Sequence, residues 1–280
     1  MSAQHSAHRR RVVVAYDEAA ARYDRVTESN YVNQWMRRTS LELLLETFKP
    51  GQLILELGCG TGSEALELAR RGITIMATDI SPTMIGLLDS KIRKEGLRGI
   101  IETRVLAISQ IDRLIEEFGE ASFDGAYSSF AISYELEINN VPATLWKLLK
   151  EPSYIALSAG NRLSAWTLIW SLVTLNARQV MKRVRRVFDL EVGNHILPLR
   201  FYTLGEIGQL FLPYFKIDRV LALPLLLPPP QLSGIYERFV GAKELIESVE
   251  RRVRHYPILR GWGDHILLRM IRLREAPSCN

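Results

Sequence analysis

The sequence is poor in cysteine, since only Cys59 and Cys279 occur among its 280 residues. The two lie far apart, so they exclude a disulfide framework and a cysteine-based zinc cluster, and we expect no metal site. Long hydrophobic runs are also missing. The longest apolar stretch without charge, 163–175, is shorter than the roughly 20 residues needed to cross a bilayer. We therefore expect no transmembrane segment.

Strong charge and sorting signals are absent too. The chain has 36 basic and 31 acidic side chains, a net charge of +5, which is too small an excess to establish nucleic-acid binding. No apolar stretch of signal-peptide length follows the N-terminus, and no Asn-x-Ser/Thr acceptor occurs. These absences predict a cytoplasmic location. With 47% hydrophobic and 24% charged residues, the composition is that of an ordinary globular protein.

Short apolar runs alternate with helical patterns in the first half of the chain. The predicted strands are 53–57, 73–79, 100–106, 123–128 and 153–158, and the predicted helices between them are 63–72, 82–96, 111–118 and 143–150. Such alternation makes a parallel sheet covered on both faces. Strands at 215–220 and 264–272 complete the prediction. The expected fold class is α/β, a Rossmann-like, seven-stranded, mostly parallel sheet with helices on both faces and an added helical lid.

The strongest chemical signal is the segment Glu56-Leu-Gly58-Cys-Gly60-Thr-Gly62, between a predicted strand and a helix. Glycines let the backbone approach a ligand closely, and the following helix presents free N–H groups. Asp79 ends the second strand, 19 residues past Gly60, where a carboxylate accepts hydrogen bonds from ribose hydroxyls. Together these features predict a nucleotide-like ligand.

A dinucleotide site is the nearest rival interpretation. Its third glycine would fall at Ser63 or beyond, where the sequence reads Ser-Glu-Ala. Glu64 would also face the pyrophosphate from the first turn of the helix and repel it. The pattern therefore favours a ligand without phosphates.

The motifs ELGCGTG, ATDISPTMI and FDGAYSSFAIS, with weaker agreement at GDHILLRMIRL, resemble the class I S-adenosylmethionine-dependent methyltransferases of small molecules. The resemblance covers Val12 to about Ser158, and it implies S-adenosylmethionine as cofactor and S-adenosylhomocysteine as product. The implied cofactor contacts are Tyr16, Tyr23, Glu56, Gly58, Cys59, Gly60, Gly62, Asp79, Ile80, Met84, Ala107 and Ser128. In this family Glu56 would lie near the amino group, Asp79 would hold the ribose, and Ile80 and Met84 would flank the adenine.

Two features qualify the resemblance. The segment YDEAAARYD, with Tyr16 and Tyr23, resembles the opening helix that closes over the cofactor, but it also fits a simple packed amphipathic helix. Many relatives carry an acidic residue before Ala after the third strand, whereas this sequence has Leu106-Ala107. Adenine recognition would then rest on main-chain groups or on a neighbour such as Ser109.

Methyl transfer requires alignment of donor and acceptor and exclusion of water, and a hydroxyl acceptor also needs a base. His195 is the candidate base because it lies in the insertion expected to cover the site, and His255 and His265 are weaker candidates. The candidate substrate-binding residues are Phe130, Tyr134, Trp166, Trp170 and Tyr202. Their apolar, aromatic character predicts a hydrophobic small-molecule acceptor of polyketide, quinone or lipid type.

The domain prediction has three parts. Residues 1–160 form the cofactor-binding core with an N-terminal cap helix, 161–214 form a substrate-covering helical insertion, and 215–280 hold the remaining strands with an inserted long helix. Within these parts, helices are predicted at 164–175, 178–187 and 235–255. A capping box, Thr203 with Glu206, opens one more helix, and the Pro-rich segment LPLLLPPP is expected to be a rigid connector.

Other functions stay open at this stage. The basic clusters 178–186 and 251–254 would suit an RNA methyltransferase or a peripheral membrane contact, although solvated basic helix faces are common. A non-catalytic, cofactor-binding scaffold is the third alternative, and the missing acidic residue at Leu106 supports it. The sequence does not determine the oligomeric state.

Overall fold

The computed structural model describes residues 3–175, 187–234, 241 and 243–275. Its helices are α1 (Ala3–Ser29), α2 (Tyr31–Thr47), α3 (Ser63–Ala69), α4 (Pro82–Glu95), α5 (Arg113–Phe118), α6 (Val141–Leu148), α7 (Ala165–Val173), α8 (Leu204–Phe211) and α9 (Lys243–Val253). Its strands are β1 (Leu53–Leu57), β2 (Thr74–Asp79), β3 (Ile101–Val105), β4 (Phe123–Ser128), β5 (Leu149–Gly160), β6 (Val187–Val192), β7 (His195–Arg200), β8 (Phe215–Leu223) and β9 (His265–Arg272).

Seven strands form one sheet in the order β3-β2-β1-β4-β5-β9-β8. Strands β1 to β5 pair in parallel, whereas β9 lies antiparallel between β5 and β8. The predicted α/β fold class is therefore confirmed. Because the order reverses direction at β1, the carboxyl ends of β1 and β4 border the crevice where open α/β sheets bind ligands.

Local sequence signals explain where several helices begin and end. The side chain of Ser81 accepts a hydrogen bond from the Met84 N–H at the start of α4, Pro82 occupies the first turn, and Gly96 ends the helix in the left-handed conformation. At α8, the capping box of Thr203 and Glu206 is present with both of its bonds. These caps satisfy backbone groups that a helix end leaves without partners.

The main sheet packs apolar layers on its two faces. One layer includes Leu145, Phe211 and Phe215 and brings α5, α6 and α8 against the sheet. The other includes Leu44 and Leu88 from α2 and α4. Burial of these side chains supplies the main driving force for the fold. Within the described residues, no helix has both the length and the hydropathy that crossing a membrane requires.

The structure differs from the sequence prediction in four places. Helix α2 was not predicted, and β6 pairs with β7 as a separate antiparallel hairpin where no strands were assigned. The insertion 161–214 thus carries α7, this hairpin and α8 rather than helices alone. The predicted helix 143–150 ends at Leu148, because residues 149 and 150 already belong to β5. Most of the predicted helix 178–187, and part of 235–255, fall outside the described residues.

Candidate functional site

A cavity opens at the carboxyl edge of the parallel strands, and together with the open solvent at its mouth it encloses about 900 Å³. It is lined by Arg9, Val12, Tyr16, Tyr23, Arg37, Gly58, Cys59, Gly60, Glu64, Asp79, Ile80, Met84, Leu106, Ala107, Ile108, Ser129, Phe130, Ala131, Tyr134 and Glu135. Nine of the twelve predicted cofactor residues are therefore brought together in one wall.

The glycine loop between β1 and α3 needs its glycines. Gly58 and Gly62 have φ values of +74° and +80°, a region that side-chain-bearing residues rarely adopt. A Cβ added at Gly58 would come within 2.2 Å of the Ala131 Cβ, and one at Gly62 within 2.2 Å of Leu88 Cδ1. At Gly60, by contrast, the nearest atom would be Tyr23 Cε1 at 3.8 Å. The loop thus packs tightly at both ends and leaves room at its centre.

Asp79, at the end of β2, fixes this loop. Its Oδ2 accepts a hydrogen bond from the Gly60 N–H at 2.8 Å, and its Oδ1 accepts one from the Ser81 N–H at 2.9 Å. Burial raises the pKa of the Asp79 carboxyl, although these N–H donors act in the opposite direction. Because each carboxylate oxygen has a second lone pair, Asp79 keeps acceptor capacity for a ligand in the cavity.

Helix α1 closes the cavity with two Tyr-Asp pairs placed seven residues apart. Tyr16 and Tyr23 line the cavity, whereas Asp17 and Asp24 bind its rim. Asp17 accepts hydrogen bonds from the Ser81 hydroxyl and from the Thr83 N–H. Asp24 accepts hydrogen bonds from the Thr61 hydroxyl and from Lys91 Nζ, the latter at 2.7 Å. The two aspartates therefore attach α1 to the glycine loop and to α4.

The tyrosine rings form an aromatic wall. The ring of Tyr16 lies edge-on to those of Tyr23 and Tyr134, with centroid distances of 6.1 and 5.3 Å. Burial raises the pKa of Tyr134 to about 12, and it also raises the pKa of the other two tyrosines. All three hydroxyls are consequently neutral at physiological pH. Electron-rich ring faces of this kind favour a positively charged ligand.

Arg37 and Glu64 form an ion pair at the cavity wall that the sequence prediction missed. Arg37 Nη1 lies 2.9 and 3.1 Å from the two Glu64 oxygens, and its Nη2 donates to the Tyr23 hydroxyl at 3.1 Å. The carboxylate of Glu64 raises the pKa of Arg37 despite burial. No sequence signal marks this pair, because Arg37 lies on the unpredicted helix α2 and meets Glu64 only through the tertiary fold.

Three predicted cofactor residues lie behind the cavity wall. Glu56 is buried, its Oε2 has no hydrogen-bond partner among the described residues, and burial, with the neighbouring Glu64 carboxylate, raises its pKa well above the ordinary value. Ser128 donates to the Leu57 carbonyl at 2.8 Å. Gly62 caps the N-terminus of α3. An orphaned carboxylate oxygen behind the glycine loop fits a ligand that carries a hydrogen-bond donor or positive charge.

A carboxylate reaches the cavity near Ala107 from another part of the chain. The Ser109 hydroxyl donates to Glu135 Oε2 at 2.7 Å, and Glu135 lines the cavity beside Leu106 and Ala107. Ser109, named in the sequence prediction as an adenine neighbour, itself does not line the cavity. Glu135 thus places a buried acidic group in the wall formed by Leu106 and Ala107, where the sequence lacks the family's acidic residue.

The predicted substrate residues divide into two groups. Phe130 and Tyr134 line the cavity, but Trp166, Trp170, Tyr202 and His195 do not. His195 Nε2 instead lies 2.9 Å from Glu18 on α1. Trp166 Nε1 donates to the Leu226 carbonyl at 2.9 Å, and Tyr202 is buried in the apolar layer of the sheet. The contact with Glu18 thus lies outside the cavity wall, and the role of His195 as a base stays a prediction.

Comparison with known proteins agrees with this geometry. Residues 54–151 match the family described as a methyltransferase domain. A putative methyltransferase of Geobacillus is 26% identical over 203 residues, which cover 70% of this chain and 78% of that protein. Other methyltransferase relatives are matched over 22% to 52% of their own length.

Solved structures share the fold. A putative S-adenosylmethionine-dependent methyltransferase from Listeria monocytogenes superposes with a TM-score of 0.59 at 16% identity, covering 85% of this chain and 97% of that one. The geranyl diphosphate C-methyltransferase of Streptomyces coelicolor, solved with S-adenosylhomocysteine, gives a TM-score of 0.55 at 13% identity. The match covers 84% of this chain and 76% of that one.

Proposed function

We propose that this chain, a class I S-adenosylmethionine-dependent methyltransferase, transfers the methyl group to a hydrophobic small-molecule acceptor. One observation carries the proposal. The same cavity extends from Gly60 and Asp79, at the glycine loop, to Phe130 and Tyr134 beyond it. A cofactor and an apolar acceptor would therefore lie side by side in one enclosed space.

The cavity wall offers a partner for each part of the cofactor. We assign Asp79 to the ribose hydroxyls and Ile80 and Met84 to the adenine faces. Glu135 would accept a hydrogen bond from the adenine amino group. It would thereby take the role of the acidic residue that many relatives carry where this sequence has Leu106. Carboxylates favour amino and hydroxyl donors of this kind because hydrogen bonds to charged groups are stronger than neutral ones.

The amino-acid part of the cofactor would lie against the glycine loop. The orphaned oxygen of Glu56 supports contact with an ammonium group from behind the loop. On the other side, Arg37 is oriented by Glu64 and Tyr23, and its guanidinium suits a carboxylate. When bound, S-adenosylmethionine supplies a methyl group on a positively charged sulfur, and the tyrosine rings of the wall favour that charge.

The acceptor side of the cavity is mainly apolar, with Ile108, Phe130, Ala131 and Tyr134 in its wall. Helix α1 covers this space, so water is excluded when the helix is in place. Among the described residues, no histidine lines the cavity. We therefore assign catalysis to alignment of the two reactants and exclusion of water, and we assign no general base.

The experiment uses the full-length protein and S-adenosylmethionine with a radiolabelled methyl group. A panel of hydrophobic acceptors, including quinones and isoprenoids, is offered, and label is measured in the organic-solvent extract and in added RNA. We expect label in the extract. Phe130→Ala should lower turnover while it retains affinity for S-adenosylhomocysteine, whereas Asp79→Ala should lose that affinity.

Three results would contradict the proposal. Transfer of label to RNA in preference to every hydrophobic acceptor would assign a different substrate class. A protein that shows no calorimetric binding of S-adenosylhomocysteine would be a scaffold rather than an enzyme. If the cofactor binds but the Phe130→Ala variant is as active as the wild type, the assignment of Phe130 to the acceptor wall is wrong.

A further inference from the structure

Three chain segments meet at the surface where they leave the sheet. Helix α7 follows the end of β5, residues 224–232 follow the end of β8, and residues 254–264 precede β9. The Ala165 N–H donates to the Trp262 carbonyl at 2.9 Å, and the Asn161 side-chain amide donates to the Gly261 carbonyl at 2.8 Å. Trp166 Nε1 joins α7 to the Leu226 carbonyl. These bonds hold the segments together as one built surface.

This surface exposes large apolar side chains. We define the α7 surface as Ile169, Leu172, Val173, Leu226, Ile258 and Trp262. Leu172 is 76% exposed, Val173 71% and Ile258 82%. Helix α7 contains no charged residue, and only Thr167 and Ser171 among its side chains are buried. A cluster of exposed apolar side chains on a soluble fold marks an interaction site.

Basic side chains accompany the α7 surface. The described residues 161–175, 223–234 and 251–263 contain five Arg side chains and no Asp or Glu. Arg251 and Arg252 are exposed at the end of α9, where Arg251 lies 3.6 Å from Glu247, and Arg162 pairs with Glu206. A partner of negative charge is therefore favoured.

Aromatic side chains border the apolar cluster. Trp262 is 39% exposed and Tyr256 is 51% exposed, and the Trp166 ring lies half-buried between α7 and Leu226. Trp and Tyr side chains prefer the boundary between hydrocarbon and lipid headgroups, because they have an apolar body and a polar atom. Aliphatic tips, aromatic borders and arginines form the pattern of a protein that lies on a membrane surface.

We propose that the α7 surface docks on an anionic phospholipid bilayer. The aliphatic side chains enter the acyl boundary, the aromatic side chains lie at headgroup level, and the basic side chains meet the phosphates. The proposal extends the proposed function, on which its last step rests. The ring of Phe130, in the cavity wall, lies 5.6 Å from the ring of His265, the first residue of β9. The cavity and the α7 surface thus share one edge of the sheet, where an acceptor dissolved in the bilayer would enter.

The test measures sedimentation of the full-length protein with vesicles. One set contains phosphatidylcholine with phosphatidylglycerol, and the other contains phosphatidylcholine alone. The test variant is the double substitution Leu172→Asp with Ile258→Asp. The matched control is Val105→Asp with Leu212→Asp, which makes the same change at residues 54% and 49% exposed. Val105 is the last residue of the edge strand β3, and Leu212 lies between α8 and β8. Calorimetric affinity for S-adenosylhomocysteine is measured on every variant.

We expect the wild type to bind anionic vesicles more strongly than neutral ones, and more weakly as salt is raised. The test variant should lose at least about tenfold in vesicle affinity, since both apolar insertion and charge attraction are needed for stable binding. The control variant should bind like the wild type, and all variants should keep their affinity for S-adenosylhomocysteine. Loss of cofactor affinity in every protein would instead contradict the proposed function, independently of vesicle binding.

Three outcomes would overturn the proposal. The wild type could fail to sediment with anionic vesicles, or the test variant could bind them as strongly as the wild type. The wild type could also be a dimer that does not bind vesicles while the test variant is a monomer. That result would show that the α7 surface contacts a second copy of the chain. Light scattering after size-exclusion chromatography measures that state.

Discussion

Asp79 combines two tasks at the level of a single residue. Its oxygens bind the backbone N–H groups of Gly60 and Ser81, and its carboxylate faces the cavity in which we place the ribose. Because burial raises its pKa above the ordinary 3.8, its protonation begins at a higher pH than for an exposed aspartate. Cofactor affinity is therefore linked to pH through this side chain.

The first prediction concerns this pH dependence. Affinity for S-adenosylhomocysteine should be constant near neutral pH and should fall as pH is lowered through the pKa of Asp79, because the protonated acid is a poorer acceptor. The loss should reach about tenfold, as expected for a hydrogen bond to a charged group. Calorimetry across the pH range measures it. Asp79→Asn should bind weakly without this dependence, and an Asn variant with the wild-type pH profile would assign the effect to another group.

The second prediction tests Glu135. Replacing Glu135 by Ala should lower affinity for S-adenosylhomocysteine about tenfold, since a charged acceptor is lost. The same variant should bind the inosine analogue, which lacks the adenine amino group, as well as the wild type does. Glu137→Ala is the matched control, because Glu137 is half exposed and pairs with His5 rather than with the cavity. Equal losses for both ligands would contradict the assignment to the amino group.

The sequence predicted those site residues whose positions are fixed by a local strand-turn-helix pattern. Gly58, Gly60 and Asp79 were predicted because a strand, a turn and a helix fix their mutual positions. Arg37 and Glu135 were not predicted as cavity residues, since each reaches the cavity through packing of segments distant in the chain. Glu64, which follows the glycine loop directly, also lines the cavity. His195 was predicted from its residue type and its place in the insertion 161–214, and the fold brings it to Glu18.

At the scale of elements, the glycine loop and α4 are packed against each other. Leu88, in the middle of α4, is fully buried and contacts the space where a Gly62 side chain would lie. Gly86, in the same helix, has an open surface around its Cα and an ordinary helical conformation. The two glycines therefore have different reasons to be present, and they form a natural pair for comparison.

The third prediction uses this pair. Gly62→Ala should reduce the free energy of unfolding by about 2–4 kcal/mol, because it combines a left-handed backbone with overpacking against Leu88. Gly86→Ala should instead increase that free energy by about 0.5–1 kcal/mol, since alanine is the better helix former. Urea unfolding followed by circular dichroism measures both. A Gly62→Ala protein as stable as the wild type would show that the loop tolerates a Cβ.

Elements with strong local signals were predicted well. Strands β1 and β4 have the predicted bounds, and the caps at Ser81 and Thr203 form as expected. The β6–β7 hairpin was missed, although its alternating residues and a Gly193-Asn194 turn are typical of hairpins. Helix α2 was also missed, although its buried side chains, among them Val32, Trp35, Met36 and Leu43, recur at helical spacing and Asn30 caps its start.

At the scale of the whole molecule, the cofactor cavity joins parts that are far apart in sequence. Helix α1, the glycine loop and the segment 129–135 all line it, and the β6–β7 hairpin packs on α1 through Leu197 and Val192. A ligand in the cavity contacts α1 on one side and the sheet on the other. Its binding should therefore stabilise α1 and, through α1, the hairpin.

The fourth prediction is tested by amide hydrogen exchange. Addition of S-adenosylhomocysteine should slow exchange in α1 and in the β6–β7 hairpin, because opening of α1 would then cost binding free energy. Helix α5, which packs on the other side of the sheet away from α1, should keep its exchange rates. Protection restricted to the glycine loop, with α1 unchanged, would show that α1 does not close over the ligand.

Because the two Tyr-Asp pairs on α1 have a fixed spacing, their contacts depend on the number of residues between them. Seven residues are close to two full turns, so both pairs point in nearly the same direction. Inserting one residue between Asp17 and Tyr23 would rotate the second pair by about 100° about the helix axis. The first pair would still reach Ser81, but Asp24 would turn away from Lys91, so that register along α1 matters as much as the identity of its side chains.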